Sequence, residues 1–420
     1  MASCQSLKLP QSPLLAALET KSGRIVYVGL DGHIYTMNQA GNSVVNITLD
    51  SSLSTPNDTT HSYFYPTWAP NGKKLAFVGY HRKSEGNPEI SIYTAGSDGS
   101  NILKVYSDQD QQPFYLYWLP NNKEISFLGG APGDSWFNLN VVPATGGETY
   151  TIGRGAPFYW AWSPNGESLV VNTSSLTDSG AVTGRLAIVH IHPNLKQSIL
   201  SLRPSVFQSP VYSPDGNYFI VAAEDTPDTQ YMLLATREGQ AQTKLTDFDG
   251  RVAFDWSPDG QHIAYISGNA APPFGILGTL GLIDISTPEA PILSDVDISG
   301  VMAFFWSPNG HKLAYFAPAL DNDSNTGTTK LLLDLSVLDV FSGNVTSLGA
   351  FQSPDVMLTQ IFPHFDQYQR SSTIWSPDGN YLVINAITED ETPGIYVVNA
   401  SGNFPPRFIQ HGVMPFWSRK

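Results

Sequence analysis

An all-β protein, a single eight-bladed β-propeller of four-stranded antiparallel blades, is what this sequence predicts. Three observations predict it. A short phrase, aromatic-Ser-Pro-Asp/Asn-Gly, recurs with small variations at Trp68–Gly72, Trp118–Asn122, Trp162–Gly166, Tyr212–Gly216, Trp256–Gly260, Trp306–Gly310 and Trp375–Gly379. Successive motif prolines lie 50, 44, 50, 44, 50 and 69 residues apart, and a period near ~45 suits one four-stranded propeller blade. The segment Val413–Trp417 repeats the strand that precedes the phrase, while the first unit of the chain has no such strand.

Taken along the chain, residues 1–23 read as a leader with a short helix around Pro10–Thr20 that docks on the ring, and 24–420 as the propeller. Ile25–Val28, His33–Met37 and Val44–Thr48 are β-rich runs that fit strands two, three and four of a blade lacking its inner strand. Val413–Trp417 is the missing strand, so head and tail share one blade and the ring closes. Closure satisfies edges that would otherwise stay unpaired. In each later unit the phrase is turn chemistry: Pro presets φ, Asp or Asn accepts a bridge or left-handed conformation, and Gly takes φ > 0. Asn122 replaces the Gly in one copy and is the best substitute for that geometry. A short apolar strand follows every turn, as in Leu75–Val78, Ile125–Leu128, Leu169–Val171, Phe219–Ala222, Ile263–Ile266, Leu313–Phe316 and Leu382–Ile384. A third strand and a more polar fourth complete each unit, as in Ile90–Tyr93 and Gln242–Thr246. The interval of 69 residues holds one blade and an insertion, too little for a ninth blade.

On these residues the chain resembles the TolB-type, WD40-like propeller repeat, whose mark is an aromatic-Ser-Pro-Asp-Gly turn before a Leu-Ala-Phe-like strand. The resemblance covers roughly 24–417. It implies a propeller and says little about function. The additional domain of TolB has no counterpart here. Propellers of prolyl-oligopeptidase-type peptidases use similar repeats, but their separate hydrolase domain has no room in this chain.

Composition narrows the partners. There are 22 Lys and Arg against 37 Asp and Glu, a net charge of −15, which argues against nucleic acid because phosphate binding needs a positive footprint. No apolar run is long enough to span a membrane as a helix. The only cysteine is Cys4, which rules out an intrachain disulfide. Met1–Cys4 resembles the end of a bacterial lipoprotein signal, with Cys4 as the lipidated residue. The rival reading is an exposed cysteine in a leader. A lipid tether implies an extracytoplasmic protein, either a monomer or part of an envelope complex.

Strand order decides which loops share a face. The turns between strands one and two, and three and four, are short. The connections on the opposite face carry nearly all the length variation, including 79–88, 129–136, 173–184, 267–278, 317–329 and 349–371. Long loops on a rigid scaffold are the usual place for recognition. Aromatic residues sit where inner strands begin: Tyr63, Tyr65, Tyr115, Tyr159, Trp160, Phe254 and Phe304 are candidates for a channel rim that binds sugars, peptides or apolar side chains. Packing between blades is the competing use of each ring, and the motif tryptophans are assigned to that packing outright. The longest insertion, Gly349–Ser371, carries His364, Asp366, Tyr368 and Arg370, and reads either as a specificity loop or as a cap that plugs the channel. The apolar loop Ala270–Leu277 is either a docking patch or a segment folded back on a neighbour.

Two weaker patterns concern metals. Asp321, Asp323 and Asn325 alternate like the start of a calcium loop, although the Gly falls one place late and position twelve is Leu332. His190 and His192 share a strand face. No other cofactor is expected, and no nucleophile elbow, P-loop, His-Glu-x-x-His or Cys-x-x-Cys occurs. The reading reached is a non-catalytic binding or scaffolding propeller that engages a protein, peptide or glycan on the long-loop face. The alternatives are a propeller lyase or hydrolase acting on sugars or peptides at the channel mouth, and a structural component of an envelope complex.

Overall fold

Every motif turn is built the same way, and the turns set the geometry of the ring. The residue at the Gly position has positive φ in all seven copies, from +59° at Asn122 to +76° at Gly310. Its N–H donates to the carbonyl three residues back, as in Gly260 N to Ser257 O at 2.9 Å. Where the motif keeps its serine, the hydroxyl bonds the Asp or Asn two residues on (Ser307 to Asn309 at 2.8 Å, Ser376 to Asp378 at 2.6 Å). The same oxygen accepts the amide of the residue that starts the next strand, as from Lys312 N and Tyr381 N. Ala69 and Leu119, which replace the serine in two copies, forgo this lock.

The computed structural model describes residues 23–48, 61–82, 87–131, 133–176, 182–191, 194–205, 208–226, 229–272, 275–322 and 329–420. Eight antiparallel blades follow in chain order. Blade 1 is composite: Val45–Asn46, Ile34–Met37 and Ile25–Val28 are joined by Val413–Trp417 as the innermost strand. The register pairs Ile25 with Trp417 and Val26 with Phe416. Blade 2 runs from His61–Trp68 through Lys74–His81 and Glu89–Gly96 to Leu103–Ser107, and blade 3 from Gln112–Trp118 to Tyr150–Gly155. Blades 4 to 7 begin with the inner strands Phe158–Trp162, Val211–Tyr212, Arg251–Trp256 and Ala303–Trp306. The outer part of blade 6 is divided, since Ile292–Leu293 and Ile298–Val301 both pair with Ile276–Asp284. Blade 8 has Tyr381–Ile387, Pro393–Asn399 and Arg407–His411, and its inner strand is reduced to bridges at Thr373 and Trp375.

The core lies between blades. A repeated hydrogen bond stitches neighbours there: a motif indole N–H donates to the carbonyl of the residue just before the motif aromatic of the preceding blade. Trp68 donates to Phe416 O, Trp118 to Thr67 O, Trp306 to Asp255 O and Trp375 to Phe305 O. Trp162 instead uses Ser126 Oγ. Indoles can be buried this way because their one polar atom is satisfied. Ring closure adds Ser418 N to Arg24 O at 2.8 Å and Arg24 N to Ser418 Oγ at 3.0 Å. No helix among the described residues is long and apolar enough to cross a membrane.

Several expectations fall outside the described residues: the leader helix, Cys4, His192, Asp323 and Asn325. Asp321 sits in the strand Lys312–Asn322, opposite Lys330. The described part of the apolar loop folds inward, because Gly275 lies against the backbone of Pro363 in the insertion.

Candidate functional site

The insertion after blade 7 enters the channel. Residues Met357–Ile361 form a π turn, Phe362–His364 a 3-10 turn and Phe365–Ser371 an α-helix. Met357, Ile361, Phe362 and Phe365 are buried, and their spacing makes one apolar stripe. The stripe packs on the inner edge of blade 7: Phe365 lies 5.1 Å from Phe304 and 6.4 Å from Phe305, and Phe362 lies 4.9 Å from Phe316.

The polar side of the insertion reaches the other blades. Tyr65 of blade 2 donates to Gln360 Oε1, and Thr67 donates to Ser371 O at 2.6 Å. Tyr115 of blade 3 donates to Gln367 O at 2.7 Å and meets the Tyr368 ring edge-on at 4.9 Å. Arg370 donates to Ser209 Oγ at 2.7 Å, to Pro210 O and to Trp160 O at 3.5 Å, which ties it to blades 4 and 5. Ser209 N donates to Asp366 at 3.4 Å. Only a segment on the central axis can touch inner strands on so many blades. The insertion therefore plugs the channel, one of the two roles its length allowed.

Tyr65 and Tyr115 occupy equivalent places, three residues before the motif tryptophan, and both have positive φ (53° and 46°). Each sits at a strand bulge, which re-aims a side chain that regular pleating would point elsewhere. Both hydroxyls end on the plug. The remaining candidates divide between core and plug. Tyr63, Trp160, Phe254 and Phe304 are buried; Tyr63 stacks edge-on with Phe77 and Tyr93. Tyr159 is held up at about 12 by burial, with the Asp366 carboxylate adding to the effect. His364 is exposed at the end of the 3-10 turn.

Beneath the plug, on the face of the motif turns, a cavity of ≈ 230 Å³ opens. Trp256, Phe305, Trp306 and Trp375 wall it, and Pro258 and Pro308 form its rim. Asp255, Gln369, Thr373 and Arg419 supply its polar groups. Arg419, accessible to water from the mouth, donates to the plug-helix carbonyls Gln369 O (2.8 Å) and Arg370 O (2.7 Å). A cation at a helix C-terminus satisfies carbonyls that the helix cannot. Gln369 is 8% exposed, and its Nε2 has no hydrogen-bond partner among the described residues.

Asp255 is the acidic group of this cavity. Its Oδ1 accepts Trp256 N at 3.0 Å, and Trp306 anchors its carbonyl. Desolvation pushes its carboxyl up to about 6; the Arg370 and Arg419 charges oppose that push and Asp366 adds to it. Burial likewise raises the Asp366 carboxyl and the Tyr117 phenol, against the pull of Arg370 in both cases. A carboxyl near 6 exchanges protons close to neutral pH, the condition for general acid–base work.

Neither Asp255 nor Arg419 was singled out in the sequence, although a signal existed. The residue before the motif aromatic is Thr67, Tyr117, Ala161, Val211, Asp255, Phe305, Ile374 or Phe416, and only one unit places a carboxylate there. In blades 2, 3, 6 and 7 this side chain turns toward the plug, the axial charges or the cavity. Three motif tryptophans assigned to packing alone also wall the cavity. Among the described residues no three His, Cys, Asp or Glu side chains assemble a metal site.

Solved structures share this architecture. An oligogalacturonate lyase in complex with manganese is 15% identical over 90% of this chain and 98% of that one, with a TM-score of 0.52. An oligogalacturonate lyase from Vibrio parahaemolyticus is 16% identical over 90% and 98%, with a TM-score of 0.51. A prolyl endopeptidase is 10% identical over 85% of this chain and 50% of its own, with a TM-score of 0.54. The chain is thus an eight-bladed propeller related in fold to several propeller families. No family model matches it, and no curated protein does.

Proposed function

We propose that this propeller is an enzyme of lyase or hydrolase type, acting on a sugar or peptide at the cavity beneath the plug. Asp255 is the group that takes or gives the proton. Arg419 and Gln369 Nε2 hold polar groups of the substrate, and the rings of Trp256, Trp306 and Trp375 stack on its apolar faces. The observation that carries this reading is the Asp255 carboxyl, held near 6 in a ring-walled cavity at a channel mouth. A perturbed carboxyl in a cleft is a physical mark of a functional site. Two proteins of similar fold are lyases of oligogalacturonate by name, which supports a sugar as substrate. The lipoprotein-like segment Met1–Cys4 supports an extracytoplasmic setting.

The test is a panel of neutral and acidic oligosaccharides and short peptides, followed by new reducing ends, unsaturated ends or free amines. Wild-type protein turns over a member of the panel, and Asp255→Asn lowers kcat by roughly 10²-fold or more while substrate still binds. An unchanged kcat in Asp255→Asn would overturn the assignment. A second reading is the non-catalytic propeller that binds a protein, peptide or glycan. In that reading Gln369 Nε2, which has no hydrogen-bond partner among the described residues, donates to a ligand that is held and not converted. Tight binding in calorimetry with no product from any panel member selects that reading.

A further inference from the structure

The plug helix carries a charged pair that the proposed chemistry does not use. Asp366 and Arg370 stand four residues apart on Phe365–Ser371, so they share one face of the helix, with the acid on its N-terminal side. That face meets Ser209, which is fully buried just ahead of the inner strand of blade 5. Ser209 N donates to Asp366 Oδ2 at 3.4 Å, and Ser209 Oγ accepts Arg370 Nη1 at 2.7 Å. One serine thus fixes both charges. Arg370 is also where the plug meets the cavity: its carbonyl accepts Arg419 at 2.7 Å, and Arg419 and Asp255 line that cavity together. Two carboxyls, Asp366 above and Asp255 below, therefore have one guanidinium in common, and Arg370 is the strongest charge acting on either.

We propose that Asp366 and Arg370 are positioning residues for the cavity: the charge on the plug governs the protonation of Asp255. This deepens the reading of Asp255 as the proton-transfer group and rests on it for its role in catalysis. The physical basis is the interior setting. Charges held inside the ring act on one another over distances at which exposed charges are screened. When Asp366 is ionised it offsets the guanidinium, and Asp255 keeps its proton more tightly. When Asp366 is neutral, Arg370 acts on Asp255 unopposed and the proton leaves at lower pH. The two carboxyls then titrate as a linked pair. The other groups facing them are Arg419 and Tyr117 at Asp255, and His364 and Tyr159 at Asp366. His364 is exposed, and its charge favours the ionised form of Asp366. The coupled charges thus begin at an exposed residue of the insertion and end in the cavity beneath the plug.

The experiment is a carbon NMR titration of the full chain with its aspartate carboxyl carbons labelled. The Asp255 resonance is assigned by its loss in Asp255→Asn. Asp366→Asn, which keeps an oxygen to accept Ser209 N, lowers the Asp255 midpoint by roughly half a pH unit or more. Arg370→Gln moves it upward by a similar amount, and Arg370→Lys, which keeps the charge, stays closer to wild type than Arg370→Gln. A pair that served packing alone would alter melting temperatures without moving the midpoint in opposite directions. Melting curves check that each variant folds, and Asp366→Asn decides the matter if the Arg370 variants do not. An Asp255 midpoint in Asp366→Asn equal to that of wild type overturns the proposal. The readout needs no turnover, so loss of the coupling and loss of the catalytic assignment are seen separately.

Discussion

Asp255 ties stability, and the chemistry proposed for the cavity, to a single proton. Its folded-state value of about 6 lies above the ordinary 3.8, so between those values the folded chain holds a proton that the unfolded chain has released. Stability from this group therefore falls as pH rises from about 4 to about 6 and stays reduced above that window. Asp255→Asn removes the penalty while keeping an oxygen to accept Trp256 N. The variant is expected to be about 1–2 kcal/mol more stable than wild type at pH 8, allowing for water at the channel mouth, and no more stable near pH 4. Urea melts at the two pH values check this. A loss of stability at pH 8 would mean that attraction to Arg370 and Arg419 outweighs desolvation. Asp255 illustrates what the sequence held and what it hid. Its oddity within the repeat was visible once the units were aligned. Its electrostatics were not, because Arg370 and Arg419 come from an insertion and a tail distant in the chain.

The plug shows how far length and pattern carry an element. An excess of residues between blades 7 and 8 was plain from the motif spacing, but length alone left a specificity loop and a cap equally open. The apolar spacing of Met357, Ile361, Phe362 and Phe365 was the discriminating signal, since a solvent-facing loop has no use for a buried stripe. The partners across the channel were illegible, because they depend on which inner-strand residues the ring brings to its axis. The Tyr65 and Tyr115 bulges likewise need φ > 0 at residues whose identity does not advertise it. Arg370 is the cross-brace of this element. Its guanidinium serves Ser209, Pro210 and Trp160 together, and removing it leaves those acceptors without their donor inside the protein. Arg370→Met is expected to cost about 2–3 kcal/mol. Amide hydrogen exchange over 365–371 should quicken by more than that over the outer strands. Equal protection in variant and wild type would show that apolar packing alone seats the plug.

Closure is the property that no single blade possesses. The period and the turn triplets made the ring legible, and the tail strand made its seam legible, because an inner strand was missing at one end of the repeat and present at the other. Structurally the seam is dense. Trp417 is fully buried, pairs with Ile25 and bridges to Thr373 of blade 8, while Phe416 O receives the Trp68 indole from blade 2. Three blades thus meet on five residues. Arg419, two residues further, holds the C-terminal carbonyls of the plug helix, so the same segment closes the ring and seats the plug. Removing residues 412–420 exposes the inner edge of Ile25–Val28, uncovers the neighbouring faces of blades 2 and 8 and frees the plug carbonyls together. The truncated chain is expected to melt well below the full one and over a broader range, because the neighbours of the lost strand no longer unfold as one unit with the rest. Trp417→Ala, which keeps the backbone ladder and empties only the indole site, should cost about 3–5 kcal/mol and leave the transition sharp. Comparing the two melts separates the packing of the seam from its connectivity. A truncation that melts like the full chain would mean that the blades are held by their pairwise interfaces and that the closed circle adds little.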